Sequence, residues 1–242
     1  MIFYPLGKYI LLLKAVFRRP EKWNIYRKEI FHEMNSIGVG SLGIIAIISI
    51  FLGMVTTVQT AFQLVSDLIP KSIIGAIVRD STILELSPTI SAIVLAGKVG
   101  SSISSQIGTM RVTEQIDAME VSPTNPFKFL VNTRIAATTL MMPALMLFSA
   151  FVSMMGSFMD IYLNEQTSFT TFLQQAFSKI TFLDYASSIF RSLVFGFTIG
   201  AVGCYKGFHA SGGTQGVGRA ANAAVVVSMF LIFIEEMLIL QI

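Results

Sequence analysis

The sequence predicts an all-α integral membrane protein. It has about five transmembrane helices, an N-terminal interfacial helix, and a short cytoplasmic helix between the second and third spans. Two observations predict this class. Hydrophobic residues make up 53% of the chain and charged residues 13%, about half the ~25% charge of a soluble domain, so the chain lacks the side chains to cover itself against water. The charges are also unevenly placed: none lies between Glu33 and Asp67, and none between Arg134 and Asp160. Apolar runs beyond ~18–20 residues are long enough to cross a ~30 Å hydrocarbon core.

Residues 1–36 read as an amphipathic interfacial segment. Tyr9, Leu12, Leu13, Val16 and Phe17 recur at helical spacing, interrupted by Lys8, Lys14, Arg18 and Arg19 and then by Pro20, with Trp23 and Tyr26 suited to headgroup depth. Residues 37–242 form the transmembrane domain, with spans expected at about 37–65, 81–108, 127–158, 182–205 and 219–239. The first span carries Gly38, Gly40, Gly43 and Gly53, residues that let helices approach closely in lipid. The second is more polar, and the third contains Pro143. A short helix is expected at 169–177, and a glycine-rich turn at 207–218 before the last span.

The positive-inside rule selects the orientation. With the N-terminus inside, the cytoplasmic segments hold the N-terminal basic cluster, Arg111, Lys128, Arg134, Lys206 and Arg219. The outer segments hold Lys71, Arg79 and Lys179, accompanied by Asp67, Asp80, Asp160, Glu165 and Asp184. The N-terminus is therefore expected in the cytoplasm and the C-terminus on the far side. A net charge of +3 does not point to nucleic acid, and the single cysteine, Cys204, leaves no internal disulfide and no cysteine metal site. No metal ligand set is expected.

The most informative stretch runs from Glu85 to Pro126. Its helix combines Ser91, Ser101, Ser102, Ser104 and Ser105 with Gly97, Gly100, Gly108 and the cation Lys98. A short polar helix follows with Val112, Ile116 and Met119 on one face and Arg111, Thr113, Glu114, Asp117 and Glu120 on the rest. By periodicity alone, this helix is either a solvated loop or a docking point for a soluble partner. The segments ELSP, AGKVGSS, IGTMRVTEQIDAME and NP, in this order and spacing, resemble the MlaE-type (YrbE-like) ABC transporter permeases. The likeness extends over essentially the whole chain from about residue 30.

The resemblance implies a homodimeric permease that moves phospholipids or related lipids between the inner and outer membranes of a bacterium. It also implies residence in the inner membrane, a separate ATPase subunit that carries the ATP, an MCE-domain protein on the periplasmic side, and in some systems a STAS-domain protein. It makes residues 109–120 the coupling helix, with Thr109, Arg111, Thr113, Glu114, Gln115, Asp117 and Glu120 as contact residues and Glu114 foremost. Val58, Gln59, Phe62 and Leu64 lie in the outer third of the first span, where two copies would frame an apolar cavity. Glu85, an ionisable group near a span end, is a candidate for its wall. The chain departs from the family pattern at Ser87 (usually glycine), Lys98 (arginine) and Gln106 (acidic). It also has Leu84 where some members carry arginine, which leaves the head group open.

The chain holds no G-x-x-x-x-G-K-[ST], and the cluster GGTQGVGRA at 212–220 lacks the lysine and preceding strand of a phosphate loop. No cofactor is expected in this chain. An enzyme reading fails for want of a base: His32 and His209 lie outside the spans by the expected topology. The remaining alternative is a stand-alone secondary transporter or channel for an apolar or amphipathic substrate. Such proteins usually carry internal repeats, and none is visible. Glu235 and Glu236 are expected at the outer interface.

Overall fold

The computed structural model describes residues 7, 9, 23–63, 73–121, 126–164, 169–177 and 181–241. Nearly all of the described residues are helical, with no strand among them. The elements are α1 (Trp23–Gln63), α2 (Ile74–Val112), α3 (Gln115–Glu120), α4 (Pro126–Asn164), α5 (Phe169–Phe177), α6 (Phe182–Phe208) and α7 (Gly213–Ile239). Five of these helices, α1, α2, α4, α6 and α7, are long and apolar enough to cross a membrane. The sequence expectation of a five-span all-α membrane protein is met.

Several boundaries differ from those read in the sequence. Helix α1 begins at Trp23, so residues 23–36 continue the first span's helix. Of the rest of the N-terminal segment only Gly7 and Tyr9 are described; the Tyr9 ring stands edge-on to Tyr205 of α6 at 5.5 Å. Pro143 lies inside an unbroken α4. The final helix starts at Gly213, earlier than 219, because Gly212 and Gly213 take positive φ (93° and 67°) and complete the turn in two residues.

Helix α2 contains two π-helical segments, Ser81–Leu86 and Ala96–Gly100. Such wide turns displace backbone carbonyls from the regular ladder and are frequent at functional sites. Side chains meet these carbonyls. Ser188 Oγ donates to Ile83 O (3.0 Å), Arg191 Nη1 to Leu84 O (3.0 Å), and Ser101 Oγ to Gly97 O and Lys98 O.

The chain divides into two compact units. The first comprises Met1–Gly40, Ala92–Met142 and Leu193–Ile242. Two glycine pairs on α6 organise it. A Cβ at Gly196 would lie 2.7 Å from Thr138 O of α4, and one at Gly207 would lie 2.7 Å from Ser104 O of α2. Their partners, Gly200 and Gly203, face α4 and α2 respectively. Each pair thus follows the four-residue spacing that lets membrane helices touch backbone to backbone.

The second unit comprises Ser41–Ser91 and Pro143–Ser192. Its apolar core is Ile74, Val78, Ile161, Phe172 and Ala176, with Phe158 edge-on to Phe172 at 5.3 Å. Arg79 is buried and caps the C-terminal end of α5, donating from Nη1 to Gln175 O (3.2 Å) and Ala176 O (3.5 Å) while pairing with Asp80 (2.8 Å). A cation at a helix C-terminus complements its dipole. Helices α1 and α4 cross closely here: Ser49 and Ser149 hydroxyls meet at 2.8 Å, and Ser157 Oγ donates to Gly53 O at 3.1 Å.

Candidate functional site

In the first unit, helix α2 ends in a sharp reversal. The Thr113 N–H and hydroxyl both donate to Thr109 O, at 2.9 and 2.8 Å, closing the last turn. Glu114 then adopts φ 59°, ψ 14°, the one left-handed non-glycine among the described residues. That conformation costs of order 1–3 kcal/mol for a residue with a Cβ, and such residues cluster at active sites, ligand clamps and switch regions. Gln115 starts α3, and the Arg111 guanidinium bridges the reversal to Asp117. The expected single helix over 109–120 is therefore two pieces. Residues 109–112 finish the long α2, and α3 is set at a new angle by Glu114.

Ile116 is fully buried and anchors α3, whereas Thr109, Thr113, Glu114, Gln115, Asp117 and Glu120 are exposed, with Arg111 half-buried. The acidic side chains recur every third residue: Glu114, Asp117 and Glu120. Since Arg111 neutralises Asp117, the two glutamates carry the net negative charge. Beside them an open cleft of ≈ 410 Å³ is lined by Ser102, Ser105, Gln106, Thr109, Met110 and Gln115. The arrangement is a short helix, anchored by Ile116, with an acidic edge.

A polar cluster centred on the buried Arg134 lies in the same unit. Arg134 of α4 pairs with Glu33 of α1 (Nη2 to Oε1, 3.4 Å) and donates to Gln106 Oε1 of α2 (3.3 Å) and Leu130 O (3.2 Å). One guanidinium thus joins three of the five spanning helices. In the sequence Arg134 reads only as an inner positive charge. The available signal was Gln106, a polar departure from the family's acidic position. Lys98, on the second wide turn of α2, donates to Gly40 O of α1. Thr198 of α6 donates to Glu235 of α7.

In the second unit, Glu85 lies on the first wide turn of α2 and is exposed. On α1, Gln59 and Phe62 are exposed and Val58 is half-buried. Leu64 lies outside the described residues. These residues are spread over two helices, whereas the 109–120 set occupies one short stretch. Arg191 is a residue of this region that the sequence pattern does not single out. Its bond to Leu84 O places a buried guanidinium beside the residue that precedes Glu85, at the position where some family members carry their own arginine.

Residues 30–242 match the family model of the MlaE permease. A relative from Synechocystis, named "Probable ABC transporter permease protein", is 37% identical over 93% of this chain and 85% of its own length. A protein of the same name from Rickettsia prowazekii is 36% identical over 90% of this chain and 83% of its own. One from the red alga Pyropia yezoensis is 35% identical over 83% and 76%. With five helices fit to span a membrane and a match across nearly its whole length, the chain belongs to the MlaE family of ABC transporter permeases.

Proposed function

We propose that the chain is the membrane subunit of a phospholipid transporter in a bacterial inner membrane, working as a homodimer on a separate ATPase. The observation that carries the coupling half of this reading is the reversal at Glu114. A bare solvated loop has no need of a left-handed glutamate, an ion pair across the turn and a buried isoleucine anchor. A projection that must transmit force does. Its acidic edge fits a basic groove on the ATPase, with Glu114 and Glu120 as the charged contacts.

Support for two copies comes from coverage. In the most apolar stretches of α1 and α7, 33% and 17% of the residues are buried by the chain itself, against 50% in α2, 50% in α4 and 67% in α6. The least-covered spans supply the surface for a second copy and for lipid between the copies, with Val58, Gln59, Phe62 and Leu64 on α1 and Glu85 on α2 as the lipid-facing set. Arg191 supplies a cation beside Glu85 in place of the arginine absent at Leu84. The N-terminus is cytoplasmic and the C-terminus periplasmic, where an MCE-domain protein receives or delivers the lipid; a STAS-domain protein is a further cytoplasmic partner. Membership of an ABC family disfavours the stand-alone transporter.

Glu114→Lys tests the docking. Lysine bears the same left-handed cost and the site is exposed, so the melting temperature is expected to stay within about 2 °C. Co-purification with the ATPase and ATP-driven transfer of fluorescent phospholipid between liposomes are each expected to fall at least about tenfold, the loss of about 1.4 kcal/mol of interaction. Unchanged co-purification and transfer would remove residues 109–120 from the interface.

A further inference from the structure

A pocket of ≈ 210 Å³ opens in the second unit, on the side of α2 away from Glu85. Arg79, Ile83 and Ala150 form its buried floor, and Leu147, Phe151 and Met155 its exposed rim. Ile83 and Glu85 are two residues apart, which turns their side chains about half a revolution from one another. The pocket is therefore not part of the face assigned above to transported lipid.

Its rim residues recur every fourth position along α4, a spanning helix, so the mouth opens sideways into the zone that hydrocarbon occupies. At ≈ 210 Å³ this pocket is too small for a turn of helix ~10–12 Å across. A segment of flexible hydrocarbon chain fits it. The polar groups beside the floor add head-group chemistry. Arg79 is buried and held by Asp80, Gln175 and Ala176, while the paired Asp80 side chain is 52% exposed. A cation and an anion side by side complement a head group that carries both signs.

We propose that this pocket holds a segment of one acyl chain of a zwitterionic phospholipid, with the lipid phosphate in the field of Arg79 and its ammonium on Asp80. The site is a resident lipid position on the outer flank of the permease. It requires only that the chain spans a membrane, and it stands or falls independently of what the transporter moves.

The test uses the purified protein in nanodiscs containing phosphatidylethanolamine with a diazirine in one acyl chain, or phosphatidylglycerol with the same chain. After illumination, adducts on the peptide containing residues 147–155 are quantified by mass spectrometry. The phosphatidylethanolamine adduct is expected to exceed the phosphatidylglycerol adduct several-fold. Ala150→Phe, which fills the floor, is expected to lower it at least fivefold, and Asp80→Asn to reverse the head-group preference. Asp80 is half exposed, so this second variant decides the matter even if Ala150→Phe does not fold. Equal labelling by the two lipids in the unaltered protein, a head-group ratio unmoved by Asp80→Asn, or undiminished labelling of a folded Ala150→Phe protein would overturn the proposal.

Discussion

Replacing Arg134 by methionine is expected to destabilise the protein by about 3–5 kcal/mol, because it strands a buried charge. The Glu33 side chain is 13% exposed and the Arg134 side chain 6%. Removing the guanidinium leaves the carboxylate without its counter-ion and Gln106 without a donor. Replacing both ends of a buried pair by apolar groups is often nearly neutral, so Glu33→Leu/Arg134→Met is expected to recover most of the loss. Thermal unfolding of the two single variants and the double in one detergent closes the cycle. Because each single variant strands a charge and the double strands none, a coupling energy of about 3 kcal/mol or more is expected. Additive single losses would show that the pair does not act as a unit. The same variants should also impair ATP-driven transfer, since this guanidinium connects α1 and α4 to the helix that runs into the Glu114 reversal.

The second large effect is expected at the crossing of α1 and α4. A Cβ on Gly53 would collide with the backbone carbonyl of Ser153, and one on Gly156 with that of Ile50. The obstacle at each position is main chain, which cannot rotate away as a side chain tip can. Overpacking typically costs 1–3 kcal/mol, and separating the helices would also lengthen the Ser49–Ser149 and Ser157–Gly53 hydrogen bonds. Gly156→Leu is accordingly expected to lower the melting temperature by several degrees or abolish purification of the folded protein. Gly43→Ala, at a position with open space around the missing Cβ, is expected to be neutral. Equal behaviour of the two variants would contradict the close crossing.

Much of this architecture is legible in the residues because the bilayer imposes a length. The five spans follow from apolar runs, and the polar break after α2 follows from the charges at 111–120. What escaped the sequence depends on local geometry or distant partners. The wide turns at Ser81–Leu86 and Ala96–Gly100 keep helical composition and nearly helical periodicity, so no pattern distinguishes them. The left-handed residue at 114 is a glutamate, where a glycine or asparagine would have announced it. The start of α7 at Gly213 was obscured by glycines that ordinarily mark a turn. Arg134 and Arg191 find their partners 28 and 107 residues away, and a linear reading sees each only as an isolated charge.

In the proposed function the Glu114 reversal meets the ATPase and Glu85 does not. The direct measurement is to install a photo-crosslinking amino acid at position 114, and separately at position 85, in the complete transporter in intact cells. An adduct is expected between position 114 and the ATP-binding subunit, and none from position 85. An ATPase adduct from position 85, or its absence from position 114 in a complex that still transfers lipid, would contradict it.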